Sequence, residues 1–470
     1  MSYAVKRPNR VLIGVIVAIA VLICGIGGAV LLFGSKIVDI GQASGELGSA
    51  EKAYRSAGLP WVANEVRKDL PIPAGKDAYP VVTNAIKLLK RHDYDKDIPL
   101  ILKSVDFGPP EKARERLKPY VGVIDLAIEA TRYPNIDYRR DYDLGPNLLL
   151  PEFASLKAIA KLTCYRAELE ARAGDTQAAV RDLKASWHLG LLAAKDPILI
   201  GMLVAISIEA ITCRSLQHCI YFERDNSNAL EALSHVLDGA TAPRFVDAMR
   251  AEAFMGVAAI RNLHAFGGIE GLSGLSDGES KLPRIDPKTL VRSGLPDDAM
   301  SRAFMARHLQ VWSEFAKMTV QAAGDDRKLS RSMDRLIEKI EQRKSVSNIL
   351  NEILFPVFGQ AGDAVVKEQA EIIASRALLV AARARAVTGK IPSTIADIPG
   401  KWIDPFNGLP MHVRRDGQQF RVYSVGPNLK DDGGVLRSEL KDKSSDTYDV
   451  VVQLAPPALP TPPVAKSGRS

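Results

Sequence analysis

At 470 residues the chain is longer than one hydrophobic core usually organises, so two or three folded units are expected. Hydrophobic residues make up 46% of the chain and charged residues 25%, proportions that exclude a wholly disordered protein or a transporter with many membrane spans. The 62 Lys and Arg residues are dispersed among 55 Asp and Glu, so the net charge of +7 indicates no nucleic-acid partner.

The first predicted element is a single transmembrane helix over residues 11–33, a stretch without a charged residue. At about 1.5 Å per residue it covers a hydrocarbon core roughly 30 Å thick. Lys6, Arg7 and Arg10 precede it, and the charges after it are near balance. The positive-inside rule therefore places residues 1–10 in the cytoplasm and the bulk of the chain outside, on the periplasmic side of the cell membrane.

Cleavage and lipidation are the alternatives to a permanent anchor. The apolar region of a cleaved signal peptide usually spans about 7 to 15 residues, which is shorter than this stretch. Cys24 invites a lipoprotein interpretation, but no small residue stands just before it and the apolar stretch continues past it. The sequence therefore favours an uncleaved tether.

Outside the anchor, Cys164, Cys213 and Cys219 are the remaining cysteines. An odd number in an oxidising compartment argues against a disulfide framework, and buried reduced cysteines are expected. A bond between Cys213 and Cys219 stays open, although their spacing along a helix puts them on opposed faces.

Residues 34–265 are predicted to form an irregular helical domain. Its clearest part is a hairpin in which helices over Leu156–Ala173 and Thr176–Ala194 flank the turn Gly174-Asp175. The string AELEARAGDTQAAVRDLKAS resembles the central part of a tetratricopeptide repeat. Since such arrays need about three units and only one is legible, a single repeat-like hairpin is expected.

The stretch Pro197–Ile211 is the most apolar one after the anchor, and a second membrane span is the alternative to a buried helix there. Asp196 before it, Glu209 within it and Arg214 after it leave too little uninterrupted length for a span. A central core helix is therefore predicted.

Residues 266–296 are rich in Gly, Ser, Pro and Asp and predict a loop or linker. Helices resume over 297–366, where Arg327–Gln342 has one apolar stripe against a charged face, typical of a solvated surface helix. Residues 453–470 contain repeated prolines and predict a flexible, disordered tail.

The region 367–452 predicts a small α+β module. A helix over Lys367–Thr388 is followed by two alternating runs, Pro410–Arg415 and Gln419–Val425, around Asp416-Gly417. Such alternation around an Asp-Gly turn predicts a β-hairpin. The predicted fold class is therefore mainly α, with one transmembrane helix and a C-terminal α+β module.

The order of helix, GKIPSTIADI, DPFNGLPMHVRR and QQFRVYSVGPNLKDDGG resembles the C-terminal part of the major pseudopilin of type II secretion. The resemblance covers under a fifth of the chain. It implies a hairpin module followed by an acidic loop, but it does not imply filament assembly, because the anchor here has no acidic residue near its start.

The same resemblance implies calcium in the acidic loop, with Asn428, Asp432, Asp446 and Asp449 as ligands. Calcium takes about 6 to 8 oxygen ligands, and Asn428 supplies only one neutral oxygen where the family has an Asp. A merely solvated acidic loop is the alternative. No other cofactor is expected.

Other candidate motifs indicate no chemistry. The Gly-x-Ser-x-Gly match at 274–278 lies in a loop-like context, and the run that begins at Asp93 has Ile98 where an EF-hand loop requires Gly. The seven histidines do not have the spacing of metal ligands; they are His92, His188, His218, His235, His264, His308 and His412. No catalytic residue is assigned from the sequence.

The sequence thus favours a membrane-anchored extracytoplasmic interaction or scaffold protein that is not an enzyme, connected with secretion or envelope assembly. Its expected partners are the membrane, through 11–33, and envelope or secretion-system proteins. The alternative is an exported hydrolase whose site residues come from distant helices and leave no local motif.

Overall fold

The computed structural model describes residues 37–67, 69–265, 286–343, 345–416, 419–436, 439 and 448–455. The predicted anchor at 11–33, the Gly-x-Ser-x-Gly match at 274–278 and the tail from 456 lie outside these ranges.

The described part of the chain is mainly helical, which confirms the predicted class: the helical content is 65%, in 14 helices, with a small three-stranded antiparallel sheet. The helices are α1 (Ile37–Gly45), α2 (Leu47–Ser56), α3 (Tyr79–Leu89), α4 (Tyr94–Phe107), α5 (Pro110–Leu117), α6 (Val121–Ala130), α7 (Pro151–Arg172), α8 (Thr176–Ala193), α9 (Leu199–Phe222), α10 (Ser227–Ser234), α11 (Phe245–Arg261), α12 (Ala299–Ala322), α13 (Asp326–Gln342) and α14 (Ile349–Thr388). The strands are β1 (His412–Asp416), β2 (Gln419–Ser424) and β3 (Val450–Leu454).

Helices α7 and α8 form the predicted antiparallel hairpin. Gly174 adopts a left-handed φ of +83° between them, a conformation that favours glycine. The carboxylate of Asp175 then accepts the backbone N–H of Ala178 at 3.0 Å and caps the start of α8. The Gly-Asp turn therefore ends one helix and begins the next.

Helix α9 is the central helix of the fold. Within the described residues it alone is long and apolar enough to cross a membrane. Of its most apolar 18-residue stretch, 61% is buried inside the protein. It packs into three apolar clusters, through Met202 toward α11 and α12, Ile208 toward α7, and Leu216 toward α14. The predicted core helix at this position is thus present.

A buried ion network fixes the chain just before α9. Arg140 Nε donates to Asp196 at 2.8 Å and its Nη2 donates to Glu152 at 2.8 Å, while the Tyr142 hydroxyl donates to Asp196 at 2.9 Å. The Arg140 side chain is 6% exposed and that of Asp196 is fully buried. These bonds join the segment before α7 to the start of α9.

Helix α14 is 40 residues long and starts earlier than the predicted helix over Lys367–Thr388. Its residue Val365 packs with α11, α12 and α13, whereas Val366 packs with α9 and the sheet. The predicted boundary between 366 and 367 therefore falls inside one continuous helix. The division of the chain into domains stays a prediction.

The three strands form a sheet in the order β1-β2-β3, with the predicted hairpin formed by β1 and β2. Strand β3 was not predicted, and residues 453 and 454, assigned to the tail from the sequence, belong to it. These residues form a strand because apolar side chains alternate along it: Val450, Val452 and Leu454 face the core.

Candidate functional site

The loop between β2 and β3, with the start of the chain that leads into β3, contains the residues that the sequence predicts as calcium ligands. Asn428 Nδ2 donates to Asp432 Oδ2 at 2.8 Å, and Asn428 Oδ1 accepts the backbone N–H of Lys430 at 3.0 Å. Asp449 is buried and accepts the N–H groups of Gly434 at 2.7 Å and Asp432 at 3.3 Å. Asp446 lies outside the described residues.

These contacts bring Asn428, Asp432 and Asp449 into one loop, as the sequence predicted, but each side chain already binds a neighbour within it. Burial raises the pKa of the Asp449 carboxyl, and the two backbone N–H groups oppose that rise. Across the part of the chain that is described, no group of three or more His, Cys, Asp or Glu side chains is arranged to hold a metal ion. Calcium binding stays a prediction.

A second acid, Asp431, organises the outer face of the same loop. The ring of His412 stacks on Tyr423 at a centroid distance of 5.2 Å. The Tyr423 hydroxyl donates to Asp431 Oδ1 at 3.1 Å, and His412 Nδ1 lies 3.3 Å from Asp431 Oδ2. The aromatic pair thereby joins β1 and β2 to the acidic loop.

Asp404, in the Asp-Pro segment that carries the resemblance, is fully buried. Its carboxylate accepts the N–H of Phe406 at 2.8 Å, the Ser424 hydroxyl at 2.9 Å and the N–H of Val425 at 2.9 Å. An acid before proline, followed by Asn-Gly, is a turn signal that could have identified this role. Asp404 therefore fixes the segment before β1 to the end of β2.

The hydrolase alternative requires a nucleophile activated by a neighbouring base. Glu168, Ser215 and His218 contact one another and include the residue types of such a triad. The Ser215 hydroxyl donates to Glu168 Oε1, and His218 Nδ1 lies 2.9 Å from Glu168 Oε2. In a nucleophilic triad the imidazole stands between the hydroxyl and the acid, whereas here the acid stands between the other two. This order holds side chains in place and does not activate the serine.

The cysteines lie within the same helical core. Cys164, Cys213 and Cys219 are buried and free, as predicted. Cys164 donates to the Ser186 hydroxyl at 3.2 Å, and burial raises the pKa of its thiol to about 12. Since the thiolate is the nucleophilic form, Cys164 is not an activated nucleophile.

Most histidines pair with nearby oxygen atoms. His188 Nε2 lies 2.9 Å from the Tyr133 carbonyl oxygen, and buried His308 Nε2 lies 2.9 Å from that of Ala253. Burial lowers the pKa of His308 to about 4, so its ring is neutral at physiological pH.

A cluster of buried acids with raised pKa values lies between α9 and α14. Glu209 is fully buried, and neither of its carboxylate oxygens has a hydrogen-bond partner within the described structure. Burial raises the pKa of Glu209 to about 8 and that of Glu371 to about 7, and burial together with the charges of its two neighbours raises the pKa of Glu368 well above its ordinary value. The three acids therefore favour their neutral forms.

No protein-family model matches this chain, and no curated protein or solved structure is significantly similar to it.

Proposed function

We propose that this protein is a membrane-tethered extracytoplasmic scaffold that presents its C-terminal sheet and acidic loop to a partner of an envelope-assembly or secretion system. The tether is the uncharged stretch 11–33, with residues 1–10 in the cytoplasm. The module is the region 367–452, which resembles the C-terminal part of the major pseudopilin of type II secretion.

The observation that carries this proposal is the continuity of α14. One end of the helix packs with α11, α12 and α13, and its other end packs against the sheet through Ala374 and Leu378. Phe420, Val422 and Val452 of the sheet lie in the same apolar cluster. A module bound to the body in this way is presented in a fixed orientation, which suits a scaffold.

The outer edge of the sheet offers a surface for the partner. Strand β1 pairs with β2 alone among the described strands, so its other edge has backbone groups open to an added strand. At the opposite edge, the Gln217 side chain of α9 accepts the N–H of Gln453 in β3. Arg415 on β1 and Lys430 in the loop after β2 are exposed.

A photo-crosslinking experiment in native membranes tests the proposal. A photoreactive residue replaces Arg415 or Lys430, and a matched control replaces Glu115, an exposed residue of α5 in the helical body. We expect the two module positions to give the same discrete adduct with one envelope or secretion-system protein, and Glu115 to give none. Failure of both module positions, or equal capture at Glu115, would contradict the proposal.

The calcium prediction has a separate test. A cation that binds only the folded protein stabilises it and so raises its melting temperature. At a cation concentration a hundredfold above Kd, the free energy of unfolding rises by about 2.7 kcal/mol. If the loop binds calcium, millimolar calcium raises the melting temperature of the wild type more than magnesium does, and Asp432→Asn removes the difference. Identical melting curves with and without calcium would refute calcium binding.

A further inference from the structure

A cavity of about 230 Å³ lies between the end of α2, the loop that follows it and α11. Its lining includes Arg55, Trp61, Glu65 and Arg250. None of these residues belongs to the C-terminal module, so the cavity is separate from the scaffold surface described above.

The wall of the cavity is fixed by local contacts. Helix α2 ends at Ser56, and Gly58 adopts a left-handed φ of +70°, which turns the chain back on itself. The hydroxyl of buried Tyr54 donates to the Pro60 carbonyl oxygen at 2.9 Å. The Glu65 carboxylate accepts the backbone N–H of Trp61 at 2.7 Å. The loop is therefore ordered before any ligand arrives, which lowers the entropic cost of binding.

Positive charge converges on Trp61. The guanidinium carbon of Arg55 lies 4.7 Å from the centre of the Trp61 ring, and that of Arg261 lies 4.4 Å from it. Both distances are typical of cation–π contacts. Glu51 balances Arg55 through an ion pair at 2.9 Å. Arg261 is 6% exposed, and its Nη2 has no hydrogen-bond partner within the described structure.

Arg250 is a cavity-lining cation for which no ion pair is present among the described residues. In the described ranges it forms no hydrogen bond and no ion pair, although it lies half-buried on α11. A guanidinium presents parallel N–H donors that match the two oxygens of a carboxylate or phosphate. An oxyanion in the cavity would supply the acceptors that Arg250 lacks.

We propose that this cavity binds the oxyanion group of a small solute, a phosphate or a carboxylate, held by Arg250 with Arg55 beside it. Trp61, which is 5% exposed and contacts Arg55 through its ring, holds that guanidinium beside the cavity. Glu65 repels a second negative charge, so the site selects a ligand whose negative charge is confined to one group. This assignment does not rest on the scaffold function.

Titration calorimetry on the full-length protein in detergent micelles tests the site, with inorganic phosphate and acetate as probes at constant ionic strength. We expect saturable binding of at least one probe in the millimolar range or tighter. Arg250→Gln should weaken that binding at least about tenfold, because it removes a charge-assisted bidentate contact. Glu65→Gln should strengthen it severalfold, because it removes a repelling charge and keeps an acceptor for the Trp61 N–H.

The matched control is Arg335→Gln, which removes an exposed arginine of α13 away from the cavity and should leave binding unchanged. Each variant is checked by its melting temperature. The Arg250→Gln protein is expected to fold, because Arg250 forms no hydrogen bond or ion pair within the described residues. Absence of saturable binding for both anions would overturn the proposal. Equal affinities in the wild type, Arg250→Gln and Glu65→Gln would also overturn it.

Discussion

Replacing Glu209 with glutamine is expected to make the folded protein about 3 kcal/mol more stable at pH 9. Burial raises the pKa of Glu209 from 4.5 to about 8, so the folded state binds more protons than the unfolded state between these values. The free energy of unfolding of the wild type therefore falls by about 3 to 5 kcal/mol as pH rises from about 4.5 to about 8. Above about pH 8, Glu209 causes no further fall.

The groups that face Glu209 also titrate. Glu368 and Glu371 approach it from α14, and Gly190 of α8 leaves the space that its side chain fills, with Glu209 Cγ 3.2 Å from the position of an added Cβ. Urea unfolding curves at several pH values from 5 to 9 measure the effect. Because Glu368 and Glu371 remain, the Glu209→Gln variant should show a smaller fall in stability across this range, and not its complete loss.

An exposed glutamate provides the control for this experiment. Glu115→Gln on α5 changes the same chemistry at the surface and should follow the pH dependence of the wild type. If Glu209→Gln and Glu115→Gln gave the same pH profile as the wild type, the buried carboxyl would not be the source of the linkage.

Replacing Asp196 with alanine should destabilise the protein by about 3 to 5 kcal/mol, the usual cost of removing one partner from a buried ion pair. The change leaves Arg140 Nε and the Tyr142 hydroxyl without the carboxylate that accepts from both. Glu152 still pairs with Arg140, so one contact of the network survives. The midpoint of urea unfolding at pH 7 is the measurement.

The control variant is Asp225→Ala. Asp225 is 71% exposed in its ion pair with Arg385, and exposed pairs contribute little to stability. We expect its unfolding midpoint to stay close to that of the wild type. Equal destabilisation by Asp196→Ala and Asp225→Ala would show that the buried network does not stabilise the fold as the geometry indicates.

The elements that the sequence predicted well are those with a strong local signal. The α7–α8 hairpin follows from helical spacing on both sides of Gly174-Asp175, and the β1–β2 hairpin follows from alternation around an Asp-Gly turn. The core position of α9 follows from its apolar length and its interrupting charges. In each case a window of a few residues determines the conformation.

The features that were missed depend on residues far apart in the chain. Strand β3 pairs with β2 across a long loop, and five alternating residues alone do not identify a strand partner. The Arg140 network joins that residue to Asp196, and the cavity joins Trp61 to Arg250. No local motif encodes such contacts, because helix packing creates them.

The most direct test of the tethered, extracytoplasmic arrangement is labelling with a membrane-impermeant maleimide in intact spheroplasts. The background is low because Cys164, Cys213 and Cys219 are buried. We expect Leu149→Cys, at a side chain that is 79% exposed, to be labelled in intact spheroplasts, and Ser2→Cys to be labelled only after lysis. The reverse pattern, or recovery of the protein in the soluble fraction, would contradict the tethered, extracytoplasmic arrangement.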